Sequence, residues 1–167
     1  MQAMSWVVMG VSGCGKSSVG IRLAAALGVP FVEGDLFHSA QNVARMASGV
    51  ALTDDDRAGW LASLQEELRR VYGHYGGVVL SCSSLKKRYR DLLREALPGL
   101  RFVHLHGDAA LIGERMRART DHYMPASLLD SQLAALEPLQ PGEAGIVLSI
   151  AAPPGQLVDA ILASRAS

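Results

Sequence analysis

The stretch Gly10-Val11-Ser12-Gly13-Cys14-Gly15-Lys16-Ser17 follows the apolar run Trp6-Val7-Val8-Met9 and precedes a helical pattern. It fits the spacing G-x-x-x-x-G-K-S, which is the phosphate-binding loop of nucleotide-binding proteins. Its glycines let the backbone curl so that successive N–H groups face phosphate oxygens, and the following helix adds its positive N-terminus. We therefore expect this loop, with Ser18, to hold a nucleoside triphosphate, Lys16 to reach the β- and γ-phosphates, and Ser17 to bind Mg²⁺.

The composition limits the classes of function. The chain has 167 residues, enough for one domain with a single core, and its 16 Lys and Arg residues balance 16 Asp and Glu residues. A chain without net charge has no global field that favours nucleic acid or an anionic membrane. Its two cysteines, Cys14 and Cys82, have no metal-ligand spacing, and no stretch approaches about eighteen apolar residues. We expect a soluble cytoplasmic protein with free thiols.

Strand and helix patterns alternate along the chain. Five short runs rich in Val, Leu and Ile are typical of buried parallel strands: 6–9, 30–33, 78–81, 101–105 and 146–150. Helical patterns lie between them: 17–27 ending at Gly28, one capped by Thr53 and Asp56, 85–96, one opening at Asp108, and one after Pro153-Pro154. This alternation predicts an α/β fold, a five-stranded parallel sheet flanked by helices on both faces.

In such a sheet, ligands bind beyond the carboxyl ends of the strands. Asp35 follows the second predicted strand, where its carboxylate could accept a proton from a substrate hydroxyl or hold a water of the Mg²⁺ shell. A turn residue is the alternative. His38 could donate to a substrate hydroxyl or cap the next helix. Residues 151–154 follow the fifth strand and could edge the adenine.

Cations near this edge predict an anion site. Asp54, Asp55 and Asp56 suit a helix N-terminus, but Arg57 lies at the wrong end of the helix dipole, so we expect it to face an anion. Three further cations, at four-residue steps in one helical segment, repel one another: Lys86, Arg90 and Arg94. An anionic substrate beside the first turn would relieve this repulsion, and a solvated face is the alternative.

A second basic group predicts a lid. Arg115, Arg117 and Arg119 precede a polar break at residues 120–123, and Arg115 and Arg119 share a helical face. A mobile lid at about 115–128 could close an arginine over the transferred phosphoryl group. An exposed basic helix is the alternative.

Several stretches together resemble one family. Besides the phosphate loop, they are Gly34-Asp35 with His38 and Asn42, Met46-Ala47-Ser48-Gly49, Leu52-Thr53-Asp54-Asp55-Asp56-Arg57 with Trp60, and residues 82–94, which include Ser84-Leu85-Lys86-Lys87. From about Trp6 to Pro138 the chain resembles the gluconate kinases of the P-loop kinase group, relatives of the shikimate kinases and nucleoside monophosphate kinases. The resemblance implies a single nucleoside-monophosphate-kinase-like domain over residues 1–167. It also implies ATP-dependent phosphorylation of the 6-hydroxyl of D-gluconate, with Mg²⁺, in a homodimer.

The resemblance also implies roles for single residues. Asp35 would lie by the acceptor hydroxyl, while Arg57, Lys86 and Arg90 would grip the sugar acid, and Arg119 would be the lid arginine. Asp121, Tyr123 and Met124 depart from the glycine and aromatic residues common in the family's lid. Two other functions remain open on the residues alone. A nucleoside monophosphate acceptor would need a base-sized apolar slot, and a nucleotide-sensing module would bind ATP without an acceptor.

Overall fold

The centre of the protein is a parallel sheet of five strands. The computed structural model describes residues 5–118 and 128–165, and places the strands in the order β2-β3-β1-β4-β5. They are β1 (Ser5–Met9), β2 (Phe31–Glu33), β3 (Val78–Ser81), β4 (Arg101–His106) and β5 (Gly145–Ser149). The predicted five-stranded parallel sheet is confirmed.

Seven helices in the described residues lie between and after these strands: α1 (Lys16–Leu27), α2 (Ala40–Ala47), α3 (Asp54–Tyr75), α4 (Lys87–Ala96), α5 (Ala109–Ala118), α6 (Leu129–Ala135) and α7 (Pro154–Ser164). A 3-10 turn over Gly34–Phe37 follows β2. The sequence predicted α1, α3, α4, α5 and α7 but not α2, α6 or the 3-10 turn.

Predicted helix ends are confirmed at three positions. Gly28 ends α1 in the left-handed region, at φ 71°, where glycine costs little. Thr53 caps α3 in a reciprocal capping box with Asp56. Asp108 accepts a hydrogen bond of 2.8 Å from the amide of Leu111 in the first turn of α5.

The core has two layers, one on each face of the sheet. In β1, Trp6 and Val8 pack in a cluster that includes residues of α1, α5 and α7. Val7 and Met9 point the other way and pack in a cluster with residues of α3 and α4. Both faces of β1 are therefore buried, which explains why its sequence is continuously apolar rather than alternating.

The strand order places the ligand-binding edge at β1. The chain leaves β1 through α1 toward β2 on one side of the sheet, whereas it leaves the neighbouring strand β4 through α5 and α6 toward β5 on the other side. A crevice forms at such a switch point. A third apolar cluster, made of Met46, Leu52 and Leu128, joins α2 to the start of α6. Among the described residues, no helix has both the length and the apolar character needed to cross a membrane.

Candidate active site

The phosphate loop depends on glycine at its first position. Gly10 has φ 145°, and a Cβ there would lie 2.7 Å from the carbonyl oxygen of Leu105 and 2.8 Å from Sγ of Cys14. Its amide donates to the carbonyl of Ser83 over 3.2 Å. A larger residue would push the loop away from β4, so the close approach of this backbone to the sheet requires glycine.

The start of α1 is free to receive an anion. Gly15, at φ 88°, is its N-cap, and no side chain from the described parts of the chain caps the helix. The first amides of a helix need partners from outside the helix, and phosphate oxygens suit them. Lys16, the first residue of α1, folds back so that Nζ donates to the carbonyl of Val11 over 3.1 Å. Its ammonium group thus lies across the loop, and Ser18 is exposed beside it.

The hydroxyl of Ser17 donates a short hydrogen bond to the carboxylate of Glu33, the last residue of β2. Sequence reasoning missed Glu33, although its position at the carboxyl end of a strand, two residues before Asp35, was a usable signal. A hydroxyl and carboxylates are hard oxygen ligands that fit Mg²⁺, which keeps most of its waters. Within residues 5–118 and 128–165, no group of three or more His, Cys, Asp or Glu residues could hold a metal by itself.

A central pocket lies beyond the carboxyl ends of β1, β2 and β3. Its polar lining brings together five predicted site residues: Ser12, Lys16, Asp35, His38 and Arg57. Ser83, Ser131 and Gln132 add further polar groups, and its apolar wall consists of Met46, Ala51, Leu52, Trp60, Leu85 and Leu128. The pocket therefore offers two cations, one carboxylate and several hydrogen-bonding groups to a small polar ligand.

His38 faces this pocket as a neutral side chain. Its ring stacks on Trp60, with centroids 4.1 Å apart, and Trp60 Nε1 donates to the carbonyl of Gly34 over 2.8 Å. Burial lowers the pKa of His38 to about 4, although Asp35 opposes the shift. The alternative role of His38 as a helix cap is wrong, because the hydroxyl of Ser39 caps α2.

Arg57 and Lys86 have different partners. Arg57 Nη1 donates to the hydroxyl oxygen of Tyr89 over 3.1 Å, and Arg57 lines the central pocket. Lys86 Nζ donates to Asp54 over 3.2 Å and is not among the residues lining that pocket. Asp54 also accepts hydrogen bonds from Arg88 and Tyr89. This carboxylate therefore does more than favour the helix dipole, which was its only predicted role.

The prediction that Arg90 grips the substrate is wrong. Its side chain is fully buried, and its guanidinium donates to Glu143 over 2.8 and 3.0 Å and to the carbonyl of Ser84 over 2.9 Å. Arg94 contacts the same carboxylate over 2.5 Å. The predicted repulsion among Lys86, Arg90 and Arg94 is also wrong, because Asp54 and Glu143 neutralise these cations.

The buried ion pair supports the turn that follows β3. Ser84 has φ 49°, an unusual value for a residue other than glycine, and its carbonyl is held by Arg90. The preceding residue, Ser83, lines the central pocket and holds the amide of Gly10. Burial raises the pKa of Glu143, but hydrogen bonds from Arg90, the amide of Gln140 and Arg94 outweigh it and bring the pKa to about 2.

Helix α6 is tied to the phosphate loop. Oε1 of Gln132 accepts from the amide of Ser12 over 2.7 Å, and Nε2 donates to the hydroxyl of the same residue over 3.2 Å. Both residues are buried. Sequence reasoning missed Gln132. This contact places Leu128 and Ser131, from the start of the same helix, over the central pocket.

A side pocket lies next to the phosphate loop. Its lining consists of Cys14, Gly15, Val19, Arg115, Ile150, Ala151, Ala152, Pro153, Pro154 and Leu157. Nη2 of Arg115 donates to the carbonyl of Ile150 over 3.2 Å at its margin. The segment 151–154, predicted to edge an adenine, thus borders a largely apolar pocket beside the predicted triphosphate site. That the adenine base of a nucleotide binds in this side pocket stays a prediction.

Arg119 and the lid break at 120–123, with Asp121, Tyr123 and Met124, lie outside the described residues. Cys14 and Cys82 are free and buried, and burial raises the pKa of each thiol, that of Cys82 to about 11.

Comparison with known proteins assigns the family. Residues 6–139 match a family model described as an AAA domain. The chain is 43% identical over 147 residues to the thermosensitive gluconokinase of Escherichia coli (strain K12), an alignment that covers 88% of this chain and 79% of the relative. It is 49% identical over 132 residues to the gluconokinase of Gluconobacter oxydans (strain 621H), covering 78% of this chain and 74% of the relative. The chain belongs to the gluconokinase family.

Solved structures agree with membership of this family. A gluconokinase from Sinorhizobium meliloti 1021 is 48% identical, with a TM-score of 0.86 over 98% of this chain and 92% of that one. A sugar kinase from Janibacter sp. HTCC2649 is also 48% identical, with a TM-score of 0.90 over 96% and 93% of the two chains. A shikimate kinase from Acinetobacter baumannii, at 17% identity and a TM-score of 0.60, shares the fold alone. The resemblance inferred from the sequence is confirmed.

Proposed function

We propose that this chain transfers the γ-phosphoryl group of ATP to the 6-hydroxyl of D-gluconate, giving ADP and 6-phospho-D-gluconate. Relatives named as gluconokinases, 42 to 49% identical over most of the chain, support this activity. The observation that carries the proposal is the central pocket, which brings Lys16 of the phosphate loop, Asp35 and Arg57 to one cavity. A kinase that acts on a small hydroxylated anion needs three groups in one place. These are a cation that binds the transferred phosphate, a proton acceptor, and a second cation that binds the acceptor anion.

The donor is proposed to bind along the phosphate loop, with its triphosphate on residues 10–18 and its base in the side pocket. The amides at the start of α1 and the ammonium group of Lys16 would face phosphate oxygens. Arg115, at the margin of the side pocket, and Arg119 are proposed to contact the nucleotide, the latter as the predicted lid arginine.

The acceptor is proposed to occupy the central pocket, where Asp35 receives the proton of the 6-hydroxyl. As this oxygen bonds to the γ-phosphorus, the bond to the oxygen bridging the β- and γ-phosphorus atoms breaks, and ADP leaves. Neutral His38 can exchange hydrogen bonds with a sugar hydroxyl, and Arg57 can bind the carboxylate. Lys86 stays a predicted contact, because its ammonium group has donors beyond the one used by Asp54.

The residues present fit Mg²⁺. Ser17 and Asp35 are the predicted ligands, directly or through water, and Glu33 is a third candidate because its carboxylate accepts the Ser17 hydroxyl. When bound, the ion supplies charge neutralisation at the β- and γ-phosphates. Glu33, the last residue of β2, accepts the hydrogen bond of Ser17 in the proposed binding site of ATP.

The activity is tested by coupled measurement of ADP release with a panel of acceptors. We expect turnover that depends on D-gluconate, with none above the acceptor-free blank for shikimate or a nucleoside monophosphate. Turnover with either of those and not with gluconate would contradict the proposed acceptor. ATP binding without turnover on any sugar acid would instead favour a nucleotide sensor.

We also propose a homodimer, as the family resemblance implies, and a cytoplasmic location, as the composition leads us to expect. Sedimentation equilibrium of the purified chain tests the first part, and a mass of one chain at micromolar concentration would contradict it.

A further inference from the structure

We propose that Tyr89, oriented by Asp54, is a positioning residue that holds the guanidinium of Arg57 in place for the carboxylate of the acceptor. This inference rests on the proposed function, since it assigns a ligand group to a site residue of that function. Neither Tyr89 nor Asp54 lines the central pocket, so both act through Arg57.

The contact between Arg57 and Tyr89 has two components. Nη1 of Arg57 donates to the phenol oxygen over 3.1 Å, and its guanidinium carbon lies 5.5 Å from the centre of the ring. The Tyr89 side chain is 3% exposed and packs in the cluster between the sheet, α3 and α4. Because packing holds the ring of Tyr89 in place, its contacts limit the positions that the guanidinium of Arg57 can take.

Asp54 sets the direction of the phenol hydroxyl. Tyr89 donates its single proton to the Asp54 carboxylate, which leaves the oxygen lone pairs for Arg57. Without such an acceptor, the hydroxyl proton could rotate toward the guanidinium and weaken this contact. Hydrogen bonds from Tyr89 and Lys86 lower the pKa of Asp54, so the carboxylate is charged at neutral pH.

The partner of Arg57 is neutral, which separates it from the other cations of this region. Lys86 and Arg88 contact Asp54, while Arg90 and Arg94 contact Glu143. Among the described residues, no carboxylate lies within ion-pair distance of Arg57. Its guanidinium is thus fixed by a neutral hydroxyl and not by a contacting carboxylate, and it retains donors that can bind a carboxylate in the pocket.

The test is a Tyr89→Phe variant, which keeps the buried ring and removes the hydroxyl. We expect the KM for gluconate to rise about tenfold, the scale of one hydrogen bond to a charged group. We expect kcat and the KM for ATP to stay within about twofold of the wild type, a split that general damage to the fold would not produce. Tyr75→Phe, at the exposed end of α3, is the matched control.

A double-mutant cycle with Arg57→Ala makes the test specific. If Tyr89 acts through Arg57, Tyr89→Phe lowers kcat/KM about tenfold when Arg57 is present and less than about twofold in the Arg57→Ala background. Equal losses in both backgrounds, or a Tyr89→Phe enzyme with the kinetics of Tyr75→Phe, would overturn the inference. Asp54→Asn in the same cycle provides a second measurement should Tyr89→Phe unfold.

The two proposals fail separately. A wild-type enzyme that does not phosphorylate gluconate contradicts the proposed function. A wild-type enzyme that does so, with additive effects of Tyr89→Phe and Arg57→Ala, contradicts only the positioning role.

Discussion

At the scale of single residues, two carboxylates at the end of β2 have different surroundings. Glu33 accepts the hydroxyl of Ser17, at the start of α1, and Asp35 faces the central pocket. Gly34 lies between them, and a Cβ there would collide with the carbonyl oxygen of Ser81 on β3. The backbone at Gly34 thus packs tightly against β3, with the carboxylate of Glu33 directed to Ser17 and that of Asp35 to the central pocket.

Replacement of Lys16 tests the donor site. We expect Lys16→Ala to lose measurable turnover while its circular dichroism spectrum and unfolding midpoint stay near those of the wild type. The side chain is only partly buried, and its one hydrogen bond to a described residue is to a loop carbonyl, so the fold depends little on it. Wild-type turnover in this variant would contradict the role of the phosphate loop.

Replacement of Asp35 separates proton transfer from metal binding. Asp35→Asn keeps the size of the side chain and removes the proton acceptor, so we expect kcat to fall by about 10² to 10⁴. The affinity for ATP, measured by calorimetry with Mg²⁺ present, should change much less. If nucleotide affinity alone fell, Asp35 would act on the metal. Glu33→Gln is the comparison variant, for which we expect a higher requirement for Mg²⁺ and a smaller loss of kcat at saturation.

Sequence reasoning identified single residues whose charge conflicts with their local structure. It failed where a partner distant in the sequence determines whether a side chain is buried. Arg57 stood out because a cation at a helix N-terminus is unfavourable, and it does line the central pocket. Arg90 has the same charge and a similar location, but its partner, Glu143, lies 53 residues further on. No local pattern connects these two residues, so the burial of Arg90 could not be predicted.

At the scale of helices and segments, the segment from α6 to Glu143 connects several parts of the site. Gln132 of α6 bonds to the phosphate loop, and the Glu137 carboxylate accepts from the amide of Lys87 at the start of α4 over 2.9 Å. The amide of Glu137 donates to the carbonyl of Leu85 over 2.7 Å, and Glu143 holds Arg90 and Arg94. One segment therefore supports both the phosphate loop and the turn after β3.

Breaking the buried ion pair tests this support. Glu143→Gln leaves Arg90 charged and buried, so we expect the free energy of unfolding in urea at pH 7 to fall by about 3 to 5 kcal/mol. Glu95→Gln, an exposed position on α4, is the control and should change it by less than about 0.5 kcal/mol. An unfolding free energy like that of the control would contradict the role of the pair.

The same pair predicts a pH dependence. The pKa of Glu143 is about 2 in the folded chain and near its ordinary value of 4.5 in the unfolded chain. A lowered folded pKa gives stability that is complete above about pH 4.5 and lost as the pH falls toward 2. The stability difference between the wild type and Glu143→Gln should therefore narrow across this interval, as measured by urea unfolding at stepped pH. A constant difference would contradict the lowered pKa.

Short helices were the elements that the sequence did not predict. Helix α2 has eight residues and α6 has seven, and helices of this length are unstable without tertiary contacts. The contacts come from remote residues: Met46 of α2 packs with Leu52 and Leu128, and Gln132 of α6 binds Ser12. The long helix α3 has its own capping box and apolar face and was predicted from them.

At the scale of the whole molecule, the strand order brings both pockets to one edge of the sheet. The class of fold followed from five apolar runs separated by helices, and each observed strand begins and ends within about one residue of its predicted run. The spatial order β2-β3-β1-β4-β5 did not follow, because neighbouring strands in a parallel sheet need not be consecutive in the sequence.

The arrangement of the whole molecule predicts where two ligands bind together. In a crystal soaked with a nonhydrolysable ATP analogue, Mg²⁺ and gluconate, we expect the base in the side pocket, the triphosphate on residues 10–18 and the sugar acid in the central pocket. The electron density of the gluconate should place its carboxylate at Arg57 and O6 at Asp35. Ligands on opposite edges of the sheet, or gluconate in the reverse direction, would contradict the model of the site.

The two pockets share a wall. Cys14 and Gly15 line the side pocket, and Ser12 and Lys16 line the central one, so only the curl of the phosphate loop separates them. A single molecule that joins adenosine to a sugar acid through a chain of phosphates can therefore reach both. Its second half would bind at the high effective concentration that a short tether provides, and its affinity would exceed that of either half alone. The arrangement of pockets that suits phosphoryl transfer therefore also suits a bisubstrate inhibitor.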